Sequence, residues 1–86
     1  MLEYSKRIKF VFFMIKKTTE IIIKTEYITL GQFLKLADII ESGGEAKSFL
    51  AQNEVQIDGI SDQRRGRKLR GGEVVEVLGQ VYEIKR

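Results

Sequence analysis

Residues 29–50 read TLGQFLKLADIIESGGEAKSFL, and two helix starts lie within them. Thr29-Leu-Gly-Gln32 has the Thr-x-x-Gln form of a capping box. The Thr hydroxyl can accept from the Gln32 amide while the Gln side chain reaches back. Ile28 before the cap and Phe33 four residues after it match a hydrophobic staple. Leu30, Phe33, Leu34, Ala37 and Ile40 then recur at helical spacing. This predicts a helix from Leu30 to about Ile40. Ser42-Gly-Gly-Glu45 repeats the box, and Ala46, Phe49 and Leu50 give one apolar face. This predicts a second helix, from Gly43 to about Gln52, and so a helix–turn–helix pair.

The glycines at the second start raise a question. In the first turn of a helix each costs up to about 1 kcal/mol relative to Ala. Two readings account for them. They can let the chain reverse tightly between the helices. Alternatively, a first turn stripped of side chains opens unpaired N–H groups and the positive end of the helix dipole to an anion such as phosphate. Lys47 lies in the next turn and would add charge.

Strands flank the pair on both sides. Glu20-Ile-Ile-Ile-Lys24 is a β-branched run bounded by charge. Val55-Gln-Ile57 alternates, and Asp58-Gly59 is a tight-turn signal before Ile60. A basic loop is expected from Asp62 to Arg70, and Gly71-Gly72 turns the chain. Glu73–Leu78 and Val81–Lys85 read as strands joined through Gly79-Gln80 as a hairpin. The order predicts a small α+β domain, a helix–loop–helix pair packed on a curled, mostly antiparallel sheet. Tyr27, Phe33, Phe49 and Tyr82 sit in or beside apolar patterns, so core packing is their expected role.

Composition narrows the function. A chain of 86 residues makes one domain. It has no Cys and no His. That removes thiol nucleophiles, the usual zinc sites, Ser-His-Asp triads and the commonest general base. No pair of carboxylates stands at a spacing that marks acid–base work; Asp58 and Asp62 flank a turn, where Asp is ordinary. The expectation is a protein that is not an enzyme, with no cofactor, metal or small-molecule substrate. Near the N-terminus the apolar run Phe10–Ile15 is only six residues, with cations on both sides. It is too short to span a bilayer and lacks a cleavage site. Residues 1–13 read as an extension or an upstream start, and residues 14–86 as the single domain, beginning at Met14. No membrane partner, a cytoplasmic location and a monomer are expected.

Charge is segregated along the chain. Residues 29–63 carry two Lys/Arg against six acids, whereas residues 64–86 carry seven against three. Arg64, Arg65, Arg67, Lys68 and Arg70 stand within seven residues, with no acid among them. Self-repulsion favours spreading such charge unless a polyanion gathers it. Four of the five are Arg, whose planar guanidinium suits bidentate phosphate contact. No aromatic is interleaved to stack single-stranded bases. Phosphate-directed binding to a structured nucleic acid is the expected role.

The segment LGQFLKLADIIESGGEAKSFLAQNEVQIDG, followed by RRGRKLRGGEVVEV, resembles the S-four RNA-binding domain, the module first defined in ribosomal small-subunit protein four. With ITLGQFLKLADIIESGGEAK and RRGRKL the likeness extends to small stand-alone bacterial members, the YaaA-like proteins. The resemblance implies that structured RNA, such as ribosomal RNA or an assembling ribosomal subunit, binds on the helix–loop–helix face. Its contact set would be Lys35, Ser42, Gly43, Gly44, Lys47, Arg64, Arg65, Arg67 and Lys68; Arg70, the last cation of the run, is taken with them. The family's first helix usually carries more cations, where Asp38 and Glu41 stand here. The competing reading is a protein-interaction adaptor whose basic loop docks an acidic partner.

Overall fold

The computed structural model describes residues 18–86. The N-terminal extension, the Phe10–Ile15 run and the start at Met14 lie outside them. The strands are β1 (Thr18–Ile22), β2 (Ile28–Thr29), β3 (Val55–Ile57), β4 (Ile60–Ser61), β5 (Lys68–Leu69), β6 (Val74–Val77) and β7 (Gln80–Lys85). Between β2 and β3 run α1 (Leu30–Leu36), a 3-10 turn (Gly43–Glu45) and α2 (Ala46–Gln52). The main sheet has the order β1-β7-β6-β3-β4, and β2 pairs with β5 in a separate ribbon. All pairings are antiparallel except β1 with β7. This is the expected α+β arrangement of a helix pair on a mostly antiparallel sheet.

The alternation read in the sequence sets which faces are buried. Val75, Val77, Tyr82 and Ile84 turn inward from β6 and β7, and Val55 and Ile57 from β3. Leu30, Phe33 and Leu34 of α1 are wholly buried, as is Ala46 of α2. The Phe33 ring meets Tyr82 edge-on, centroids 5.2 Å apart, which couples α1 to the sheet. Both helix starts follow the sequence. Gln32 donates to the Thr29 hydroxyl and its side chain accepts from the Thr29 amide. The second start holds as well, although its first turn is wound as 3-10.

Three boundaries differ. The first helix ends at Leu36 rather than near Ile40. Asp38 takes a left-handed conformation, φ 59°. Its amide donates to the Lys35 carbonyl and that of Ile39 to the Leu34 carbonyl, the bonding of a Schellman stop. Ile40 is still buried, but from beyond the helix; the apolar spacing therefore outran the helix. The first strand lies two residues earlier than expected, because its partner β7 ends opposite Ile22 at Lys85. The β6–β7 hairpin turns on Leu78-Gly79, one residue before the expected pair, with Val77 facing Gln80. Asp58-Gly59 does form the expected turn, with φ 53° and 81°.

Asp38 occupies the position where glycine is usually found after a helix. A side chain in that region costs about 1 kcal/mol or more, less for Asp than for most residues. Asp38→Gly should therefore raise stability by up to about 1 kcal/mol, read as a higher urea midpoint at unchanged slope. A lower midpoint would show that the Asp38 carboxylate itself holds the stop together.

Candidate nucleic-acid interface

The first amides of α1 have no partner within the helix and must find one elsewhere. The basic segment supplies it. The Leu30 amide donates to the Arg67 carbonyl at 2.7 Å, and the Gly31 amide to the Arg65 carbonyl at 3.0 Å. The backbone of the loop thus caps α1, while Arg64, Arg65, Lys68 and Arg70 remain exposed and Arg67 is half-buried. Gly31 permits this approach: a Cβ there would stand 2.9 Å from Cγ of Arg65 and 3.4 Å from Cβ of Ala46. The expected loop is also more structured than a loop. Lys68 and Leu69 pair with Thr29 and Ile28, and Leu69 is wholly buried in the core.

Two residues not singled out as functional hold the segment from its other end. The Gln63 side chain donates to the Leu50 carbonyl at 3.0 Å and also to the Asn53 carbonyl. Its oxygen accepts from the Val55 amide at 3.1 Å. Gln63 therefore ties the loop to the end of α2 and the start of β3. Nothing in a lone Gln among polar neighbours signals this, because its partners are distant backbone groups. Asp62 is the second. Expected only as a turn residue, it accepts from Nε and Nη2 of Arg64 at 3.0 and 2.7 Å and from Arg67 at 3.2 Å. The run has no acid inside it, yet two of its cations have one beside it. The Arg64 hydrogen bond holds the Asp62 carboxyl well below the usual carboxylate range, against an opposing effect of burial. The same pairing raises Arg64.

The cations therefore divide. Lys35, Gly43, Arg65 and Gly66 line one shallow depression together with Thr29, Gly31 and Gln32. Lys47 and Arg65 line the adjoining one, beside Gln63. Arg65 is thus the member of the run that meets both helices. Arg64 and Arg67 face Asp62. Lys68 and Arg70 lie against Tyr27, at 4.8 and 5.5 Å from its ring centre. Tyr27 is 38% exposed, which corrects its assignment to the core; Phe33 and Tyr82 are buried there as expected, and Phe49 packs against the core half-buried.

At the glycine turn, the Glu45 carboxylate accepts from the amides of Glu41 and Ser42 at 3.2 and 3.0 Å. That part of the turn is filled by its own side chain, and Ser42 is occupied in the cap. Gly43 and Gly44 are exposed, and neither has a positive φ. A Cβ at Gly43 would meet nothing within 4 Å, and one at Gly44 only Ser42 Oγ at 3.9 Å. The reversal between the helices is made at Asp38, so the fold does not require glycine at either position.

Among the described residues no group of His, Cys, Asp and Glu is placed to hold a metal ion. Nor is any helix among them long and apolar enough to cross a membrane. The family model described as S4 domain matches residues 21–85. The "Probable ribosome maturation protein RlbA" of Bacillus subtilis (strain 168) is 63% identical over 57 residues, 66% of this chain and 80% of that relative. The "Putative RNA-binding protein YbcJ" of Escherichia coli (strain K12) is 31% identical over 61 residues, 71% of this chain and 87% of that relative.

The Asp62 pairing has a pH signature. Its folded carboxyl titrates below the ordinary value of 3.8, so its stabilisation is present above that value and is lost as pH falls through the folded one. Asp62→Asn should cost up to about 1 kcal/mol at pH 7, the range of a pair whose guanidinium groups still reach solvent. The gap between wild type and variant should narrow as pH drops from about 5 toward 2. Glu73, whose carboxylate is held low by the Arg70 and Gly71 amides despite burial, titrates in both proteins and cancels. A gap constant over that range in urea titrations would deny Asp62 this role.

Proposed function

The chain belongs to the S4-domain family, and from that premise we propose that it is a non-enzymatic protein that binds structured RNA through phosphate contacts. Ribosomal RNA or an assembling ribosomal subunit is the proposed target, in keeping with the ribosome-maturation and RNA-binding names of its relatives. The site lies where α1, the glycine turn, α2 and the basic segment meet. One observation carries the reading. Lys35, Gly43 and Arg65, drawn from three separate parts of the chain, line a single depression, and Lys47 joins Arg65 next to it.

Each part has a physical role in the proposal. Arg65 and Lys47 supply charge that no acid of the fold engages in an ion pair among the described residues. The bare turn at Gly43 and Gly44 lets a phosphodiester come close to the backbone. Arg64 and Arg67 are held by Asp62, which fixes the loop and leaves a net charge of +4 from the five cations and one acid of residues 62–70. Lys68 and Arg70 extend positive potential toward Tyr27. The protein acts as a cytoplasmic monomer in this reading.

The test is salt dependence. If about five phosphates are neutralised, log affinity for a structured RNA should fall with log salt at a slope of roughly −3.5 to −4.5. Lys47→Ala with Arg65→Ala should weaken binding and flatten that slope by roughly 1.5 to 2. Arg64→Ala alone should flatten it less, because Arg64 is already engaged by Asp62. An unchanged slope in the double variant would remove the helix-facing cations from the interface. Partner capture from cells adds a second check: loss of the partner on ribonuclease treatment fits RNA, and its retention fits an acidic protein partner.

A further inference from the structure

Tyr27 stands on the surface and lines a shallow groove of about 820 Å³ together with Glu26, Gln32, Lys35, Leu36 and Asp38, among others. Gln32 and Lys35 also line the depression that contains Gly43 and Arg65. The groove is therefore continuous with the proposed phosphate surface. Its chemistry is different. Its floor is apolar and aromatic, with Leu36 58% exposed and Tyr27 38% exposed. Two carboxylates, Glu26 and Asp38, lie along it. Lys35 of α1 lines it as well, and Lys68 and Arg70 lie over the Tyr27 ring.

These features sort the possible occupants. Two acids on the groove repel a phosphate, and they repel an acidic peptide equally. A nucleobase is suited by every feature. It is flat and apolar on its faces, so it can stack on Tyr27 in place of the Lys68 and Arg70 side chains that lie over the ring, and cover Leu36. Its exocyclic amino group donates, and the carboxylates accept. The phosphates on either side of such a base reach Lys35, Lys68 and Arg70. The platform is also held in advance. The Thr25 hydroxyl donates to the Tyr27 carbonyl at 2.8 Å, and Ile28, next in the chain, is paired with Leu69. We propose that this groove receives one unpaired, amino-bearing nucleobase of the RNA held on the adjoining cationic surface. The proposal rests on the RNA-binding function given above and adds to it a point of selectivity: adenine, cytosine and guanine should be accepted, whereas uracil, which lacks an amino group, should not.

Hairpin RNAs with the same duplex stem and a single bulged cytidine, a single bulged uridine or no bulge test this with the full chain. Wild type should bind the cytidine bulge at least about fivefold more tightly than the stem without a bulge, the low end of a base–aromatic stack, and more tightly than the uridine bulge, which lacks the amino donor. Tyr27→Leu should lose the preference over the stem without a bulge, Tyr27→Phe should keep it, and Leu36→Ser should weaken it. The salt slope should stay the same in all three, because no phosphate contact is removed. Tyr27 and Leu36 are exposed, so the fold should tolerate these changes, which thermal unfolding checks. A preference over the stem without a bulge that survives Tyr27→Leu, or equal binding of the three hairpins by wild type, overturns the nucleobase site while leaving the phosphate surface standing. Failure to bind any hairpin at low salt overturns both. Displacement of RNA by a poly-glutamate peptide that depends on Tyr27 would assign the groove to a protein and overturn the proposal.

Discussion

The first turn of α1 needs acceptors, and the carbonyls of Arg65 and Arg67 provide them. Much of the molecule follows from that pair of bonds. A segment with five cations would otherwise be held apart from itself by repulsion and kept mobile by side-chain entropy. Here its backbone is consumed by a helix start, and its next residues, Lys68 and Leu69, continue into a ribbon with Ile28 and Thr29. The helix is capped by the loop and the loop is ordered by the helix. Gly31 is the steric condition for both, since the approach leaves no room for a Cβ beside Arg65.

The charges are then placed by what remains to be satisfied. Asp62 lies beside the segment and binds Arg64 and Arg67 together. It removes one charge from the surface but fixes the loop from which the others project. Arg65 takes no part in that cluster. Its carbonyl is bound to α1 and its side chain runs over Gly31 into the space between the two helices. The backbone that carries Arg65 is thus fixed by the helix start itself, although its side chain stays exposed.

The parts of this design that could be read from sequence are those set by neighbours a few residues apart. Both capping boxes involve residues three apart, and both formed. The Asp58-Gly59 turn is equally local, as is the alternation that turns Val75, Val77, Tyr82 and Ile84 inward. The errors fall where distant groups decide. Ile40 continues the apolar spacing of α1 and is buried, yet the chain reaches it through a left-handed Asp38. Leu69 sits in a run that reads as a solvated loop, but its strand partner Ile28, far back in the chain, draws it into the core. Asp62 reads as a turn residue until Arg64 and Arg67 fold back on it. Of the candidate contacts, the grouping of Lys35, Gly43 and Arg65 followed from the family resemblance and not from spacing, since three segments must fold before they meet.

Tyr27 shows how the same residue can be misread by a sound rule. An aromatic next to Ile28 and near a β-branched strand belongs in a core more often than not. Ile28 is indeed buried. In a strand, however, successive side chains point to opposite faces, so the burial of Ile28 itself turns Tyr27 outward. The outward face of the β2–β5 ribbon is where Lys68 and Arg70 also emerge, because Leu69 between them is drawn inward as the partner of Ile28. The cation–aromatic cluster is thus a consequence of the two buried residues on the other face. Two apolar side chains at the centre of a short ribbon are enough to place an aromatic ring and two cations together on the surface.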